Sequence, residues 1–282
     1  MITLKNLNFA YKRNRRVLEE LNVEFTPGHI YGLLGKNGEG KTTLLDILIG
    51  QLFPENGICT VLGAIPSKRQ ASFLQQIFLL PEELNLPEVS AAEYKNMYAG
   101  FYPTFREDLW QSCVDGFEID TKAGLSKMSL GQKKKVAIAM ALSVHTPVLL
   151  MDEPTNALDI PAKAVFRKLV ASCIEDDQII IISTHQVRDL ESLIDSVLIL
   201  EKHRILLNKG LDEISEKLYF RMVEQGEPIL YSEFTSAGLI GVGENRKYER
   251  TDVYLELLFQ AATQNPGEIS RIFNNETDSY EK

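Results

Sequence analysis

The chain has 282 residues, 44% hydrophobic and 24% charged, so it carries enough apolar surface for a packed core and does not have the composition of a disordered chain. That length fits one large α/β unit with a small appendage as well as two equal domains. A formal charge of −9 argues against nucleic acid as a partner, because neutralising phosphates takes a concentrated basic face.

Cys59, Cys113 and Cys173 are odd in number, far apart and in no metal-ligand spacing, which predicts packed free thiols in a reducing compartment. No basic stretch leads into an apolar run after Met1, so no secretory leader is expected. The longest apolar runs, such as residues 148–151 and 179–182, fall far short of the roughly 20 residues of a membrane span. The expectation is a cytoplasmic chain with no direct membrane span, reaching a membrane only through a partner.

In chain order, residues 2–9 and 17–25 alternate apolar positions (Ile2, Leu4; Leu21, Val23, Phe25) as antiparallel half-buried strands do. Residues 30–34 read as a buried strand entering a glycine-rich turn, and 41–49 as a helix stopped by Gly50. Short apolar strands follow at 148–151, 179–183 and 197–200, separated by helical stretches, which predicts a parallel sheet with crossover helices. Residues 84–142 form a mostly helical insert interrupted by Pro87 and Pro103. After about 209 the strand–helix rhythm fades into a small C-terminal appendage, with 251–263 spaced as a helix.

Between the strand at 30–34 and the helix at 41–49 lies Gly35-Lys36-Asn37-Gly38-Glu39-Gly40-Lys41-Thr42-Thr43, a P-loop. Its glycines let backbone N–H groups wrap a phosphate, and the helix N-terminus adds positive dipole. Lys41 is placed to bridge the β- and γ-phosphates of a nucleotide, Thr42 to ligate Mg²⁺, and Thr43 to add a phosphate hydrogen bond, a set that kinases, GTPases and motors share. A second motif, Val148-Leu149-Leu150-Met151-Asp152-Glu153, ends an apolar strand in two carboxylates at the edge where α/β sheets bind ligands. Asp152 reads as a Mg²⁺ ligand and Glu153 as the group that orients or deprotonates water, although an acidic pair there also suits a helix start.

With these motifs in place, residues 1–210 resemble the ATPase subunits of ABC transporters. Met128-Ser129-Leu130-Gly131-Gln132 is similar to the family's Leu-Ser-Gly-Gly-Gln signature, 152 − 129 = 23 residues before the acidic strand end. Asn156-Ala157-Leu158-Asp159 resembles its D-loop, His185 its switch histidine, and Tyr11 its adenine-stacking aromatic. The resemblance implies a P-loop NTPase core with a mixed parallel sheet, an N-terminal antiparallel β-subdomain, a helical signature subdomain and a small C-terminal extension at 211–282. It also implies an ATPase that works as a dimer with a second copy or a homologous subunit and drives a transmembrane permease. On that basis Lys41, Glu153 and His185 are catalytic. Ser129, Gly131 and Gln132 grip nucleotide held by the partner, and Asp159 links the two sites.

Several residues also admit plainer readings. Ser129 and Asp159 suit ordinary helix caps, the latter before Pro161, and Tyr11 suits a strand-end surface tyrosine. Leu130 departs from the signature's first glycine. The family's Q-loop glutamine maps to Glu82, a Mg²⁺ contact through water, with Gln76 as a substitute. Tyr94, Tyr98, Phe101 and Phe105 are spaced to share a helix face, suiting core or permease contact, and Lys133-Lys134-Lys135 reads as a solvated face. The alternative function is a soluble ABC-type ATPase in iron–sulfur cluster assembly or DNA repair. A chromosome-type machine does not fit, since 129 − 41 = 88 residues leave no room for long coiled coils. The short 82–132 insert resembles exporter-type subunits.

Overall fold

The computed structural model describes residues 1–12, 15–224, 226–236, 238–247 and 249–274. Strands β1 (Ile2–Lys12) and β2 (Arg15–Phe25) pair antiparallel, and β4 (Asn56–Val61) joins the other edge of β1. Between them, β3 (His29–Leu34) runs into α1 (Lys41–Leu48). Gly50 ends that helix with φ 74, where a Cβ would stand 2.2 Å from the Pro66 carbonyl oxygen, so the expected stop is a steric requirement. The short α2 (Ala71–Leu74) precedes β5 (Ile77–Leu80).

The insert contains α3 (Ala91–Ala99), α4 (Glu107–Phe117) and α5 (Leu130–Ser143). It leads to β6 (Val148–Asp152), α6 (Ile160–Cys173), β7 (Ile179–Thr184), β8 (Ser196–Glu201) and β9 (Arg204–Gly210). The central sheet has the order β5-β6-β7-β3-β8-β9, parallel except for β9 at the edge. Because successive side chains of a strand point to opposite faces, a run such as Ile179-Ile180-Ile181-Ile182 supplies two cores. Ile180 and Ile182 join Leu149, Met151 and the helical insert, whereas Ile179 and Ile181 join Leu150, α1 and the N-terminal strands.

Beyond β9 the sequence pattern was too weak to reveal a second antiparallel sheet. The chain forms α7 (Leu211–Lys217), β10 (Leu218–Met222), β11 (Tyr231–Thr235), β12 (Gly238–Glu244), α8 (Leu255–Gln264) and α9 (Pro266–Asn274). The new sheet has the order β10-β12-β11, and Gly238, Gly241 and Gly243 in β12 break the alternation a strand normally displays. The expected helix at 251–263 begins only at Leu255. Leu255, Leu258, Ala261 and Ile269 are fully buried and share the core of Val187, Leu190 and Ile194. Each large apolar side chain so placed contributes about 1.5–3 kcal/mol, which fastens α8 to the central sheet.

Three further expectations need correction. The connection from β7 to β8 is a 3₁₀ turn, Val187–Asp189, and not a helical crossover, because β8 pairs with the neighbouring β3. Tyr94, Tyr98, Phe101 and Phe105 do not share one buried face: α3 stops at Ala99, leaving Tyr94 buried and Phe101 66% exposed. Lys134 is not solvated; it is 2% exposed, whereas Lys133 and Lys135 are half-buried. The three cysteines are free and buried, as expected, and burial pushes the thiols of Cys59 and Cys113 up to about 12.

Candidate nucleotide site

The parallel strands deliver their polar residues to one edge of the sheet. Past β3, Gly38 and Gly40 adopt φ of 87 and 105, a left-handed conformation open to glycine at little cost. Gly35 is fixed by space, since a Cβ there would lie 2.6 Å from the Leu200 carbonyl oxygen. The outer rim is pinned to the end of β8: Lys36 donates to Glu201 at 3.0 Å, and the Lys202 N–H donates to Glu39 at 2.5 Å. The first turn of α1 has no side-chain cap, leaving its N–H groups to the loop interior.

Lys41 is 6% exposed and donates to the carbonyls of Gly35 at 2.7 Å and Lys36 at 3.4 Å, with Glu153 at 3.6 Å. Thr42 donates to Asp152 at 2.6 Å, and Ser183 donates to the other Asp152 oxygen. Thr43 and the Tyr11 hydroxyl share a hydrogen bond of 3.0 Å, while the Tyr11 ring, 54% exposed, stands edge-on to Phe9. Burial first, and the charge of Asp152 second, raise the carboxyl of Asp46 in α1 above its ordinary range.

Glu153 holds φ 45, a conformation costing roughly 1–2 kcal/mol for a residue with a side chain. Its N–H donates to the Ser183 backbone and hydroxyl, which fixes that turn. One carboxylate oxygen meets His185 Nδ1 at 2.8 Å, and the other, Oε2, is buried without a hydrogen-bond partner among the described residues. An unpartnered buried carboxylate oxygen costs free energy that a water or substrate group can recover.

Tyr11, Asn37, Gly38, Gly40, Lys41, Thr42, Thr43, Glu82, Asp152 and Glu153 all line one cavity of about 840 Å³, joined at the Tyr11 end by Arg16, Val17 and His203. Glu82 accepts from Asn156 Nδ2 at 2.9 Å. Gln76, the substitute considered for it, instead donates to Ser72 and does not line the cavity. The signature segment lies outside that lining. Ser129 caps α5 in a reciprocal box: its hydroxyl accepts from the Gln132 N–H at 3.3 Å, and its own N–H donates to Gln132 at 2.9 Å. Gly131 has no room for a Cβ, which would sit 2.8 Å from the Ala157 carbonyl oxygen, whereas Leu130 is 61% exposed. That contrast explains why the signature tolerates leucine at the first position and keeps glycine at the second. Asp159 caps α6, accepting from the Ala162 N–H at 2.8 Å, so the plainer reading of its local contact holds.

The sequence did not single out Ser183, Arg16 or His203, and it placed Lys134 on a solvated face. Ser183 had a readable signal, as the first polar residue closing an all-isoleucine strand, whereas Arg16 and His203 come from distant segments that only the fold brings together.

A glycine-lined loop at a helix start, facing two strand-end carboxylates, defines a P-loop NTPase. A family model described as ABC transporter matches residues 18–156. An uncharacterized ABC transporter ATP-binding protein, YybJ of Bacillus subtilis (strain 168), is 33% identical over 224 residues, covering 78% of this chain and 99% of that protein. The bacitracin transport ATP-binding protein BcrA of Bacillus licheniformis is 28% identical, over 78% of this chain and 74% of its own. A solved ATP-binding subunit of an ABC transporter superposes with a TM-score of 0.68 at 24% identity, covering 76% of this chain and 91% of that one, and shows the shared fold. The chain belongs to the ABC transporter ATP-binding family. It is an ATP-binding and ATP-hydrolysing subunit that powers an ABC transporter, and the soluble, non-transport alternative is set aside.

Proposed function

We propose that this chain pairs head-to-tail with a second copy or a homologous ATPase subunit, that each ATP is gripped between the two, and that their closing and opening moves a transmembrane permease. One observation carries the reading: the P-loop, Asp152 and Glu153 line a single cavity, while residues 128–132 lie outside it with Ser129 exposed at a helix start. Free N–H groups at such a helix start favour an anion, and a γ-phosphate bound by a partner's P-loop is of that kind.

In this scheme the backbone of residues 35–40 wraps the phosphates and Lys41 bridges the β- and γ-groups. Tyr11 leaves Thr43 to stack on adenine, freeing the Thr43 hydroxyl for phosphate. Glu153 takes or orients the water through Oε2, the oxygen without a partner, and His185 holds Oε1 and reads the γ-phosphate. Ser129, Gly131 and Gln132 bind the partner's ATP, and Asp159 lies beside the joint.

The residues present suit Mg²⁺, because Thr42 and the buried Asp152 form an all-oxygen pair of the hard-ligand type that this ion shares with phosphates. Glu82 would contact it through water. When bound, the ion neutralises charge on the β- and γ-oxygens.

Cleaving the γ-phosphate removes the group both chains hold; moving the closed state from 1:99 to 99:1 takes about 5.5 kcal/mol of differential binding. Residues 1–210 form the ATPase domain, with 84–142 as its helical subdomain, and 211–282 a C-terminal appendage. No helix among the described residues is long and apolar enough to cross a membrane, which supports a peripheral place on the cytoplasmic face through a permease. Exposed Met97, Tyr98 and Phe101 of the helical insert offer that permease a surface. The short 82–132 insert supports export as the direction.

Light scattering of Glu153→Gln with ATP and magnesium tests the pairing. The expected mass doubles relative to ADP, and a monomeric mass with ATP overturns the reading.

A further inference from the structure

Lys134 lies in the second turn of α5, on the helix that Ser129 caps, and is 2% exposed. Its ammonium donates to two backbone carbonyls of the loop after β5, Glu82 at 3.1 Å and Pro81 at 3.4 Å. Desolvation lowers its pKa, and the charges of Glu82, Asp152 and Glu153 oppose that shift. Burying an ammonium against carbonyls, with no carboxylate in contact, gives little stability that a methionine of similar shape would not give. What it supplies is a directional tie between two segments. The Glu82 side chain in turn accepts from Asn156, three residues after Glu153, at 2.9 Å.

We propose that Lys134 is a positioning residue, a buried bolt that makes the signature helix and the backbone of Pro81 and Glu82 move as one body. A shift of α5 when Ser129 engages a partner's ATP then drags Glu82 relative to Asp152 and Thr42. The bolt thus couples the grip on one nucleotide to the metal side of the other. This rests on the pairing proposed above and on Glu82 as a site residue.

The test compares full-length Lys134→Met and Lys134→Arg with the unsubstituted protein in steady-state phosphate release, varying ATP and magnesium separately. Lys134→Met removes the donor shared by the Glu82 and Pro81 carbonyls, and its kcat is expected to fall roughly tenfold. Its KM for ATP stays within about twofold, because Lys41 and Tyr11 are untouched, and its magnesium half-saturation rises by roughly threefold or more. Lys134→Arg can donate to both carbonyls and is expected to restore at least about half of kcat. Combining Lys134→Met with Glu82→Ala costs less than the product of the single effects.

Equal impairment of the methionine and arginine variants would mean that only packing matters and overturns the proposal, as does a methionine variant with unchanged kcat and magnesium dependence. If Lys134→Met does not fold, Lys134→Gln is judged by the same kcat and magnesium criteria. A Glu153→Gln protein that stays monomeric with ATP removes the pairing beneath the proposal. Normal pairing with indifferent Lys134 variants removes the bolt alone.

Discussion

Around the P-loop, Lys41, Thr43, Asp152 and Glu153 are each at most 6% exposed and line one cavity, whereas Ser129, Leu130 and Gln132 stand exposed, with Ser129 and Gln132 bonded to each other. The first region is organised before any ligand arrives, with fixed dipoles that need not turn when charge develops. The second has a rigid frame with no counterpart in the same chain. Its capping box and the tight fit of Gly131 against Ala157 set the helix start firmly, yet the surface it offers is open. On the proposed pairing, a site divided in this way ties chemistry to association.

The contrast breaks most easily at Glu153. Its Oε2 is buried without a hydrogen-bond partner among the described residues, and its Oε1 lies 3.6 Å from Lys41, so Glu153→Gln keeps the shape while losing the proposed base. Phosphate release is expected to fall by about 10²- to 10⁴-fold with ATP still bound. Turnover within tenfold of the parent would place the chemistry elsewhere. Tyr11→Ala probes the open end of the same cavity: losing base stacking of about 1–3 kcal/mol weakens ATP binding by roughly 5- to 150-fold, read by titration of a fluorescent analogue, and leaves kcat nearly unchanged.

Gly131→Ala tests the other region. The added Cβ falls 2.8 Å from the Ala157 carbonyl oxygen, so the helix start or the D-loop must shift. A kcat about tenfold lower, with ATP binding by the single chain within about twofold, is the expected signature of damage confined to the surface that meets a partner. Equal losses in both would mean that the two regions are not separable within one chain.

Much of this division was legible from residue order. The strands at residues 148–151 and 179–183 and the P-loop helix fell where the pattern put them, because strands buried on both faces announce themselves as unbroken apolar runs. The placement of the acidic pair was legible for the same reason: Asp152 and Glu153 end such a run and line the cavity. What stayed hidden depends on segments meeting in space. Lys134 belongs to a triple-lysine stretch whose composition spells solvent, and only the loop at Pro81 and Glu82 packed over it turns the middle lysine inward. The C-terminal sheet was hidden because β12 carries three glycines and β11 is an edge strand of five residues, neither presenting a clean period of two.

The smallest expected effect concerns Leu130, where the chain departs from the signature it resembles. Leu130→Gly removes a side chain that is 61% exposed, so little apolar burial is lost. The helix-propensity penalty is at most about 1 kcal/mol, and less at the first position of a helix. The melting temperature should therefore drop by no more than about 2–4 °C, and the Ser129–Gln132 box should survive because it uses backbone groups on either side. In the isolated chain nothing else should change, and kcat should stay within about threefold. A larger kcat change with an unchanged melting temperature means that the leucine side chain is itself covered when ATP joins two chains. That result would move Leu130 from a tolerated departure to part of the surface on which association depends.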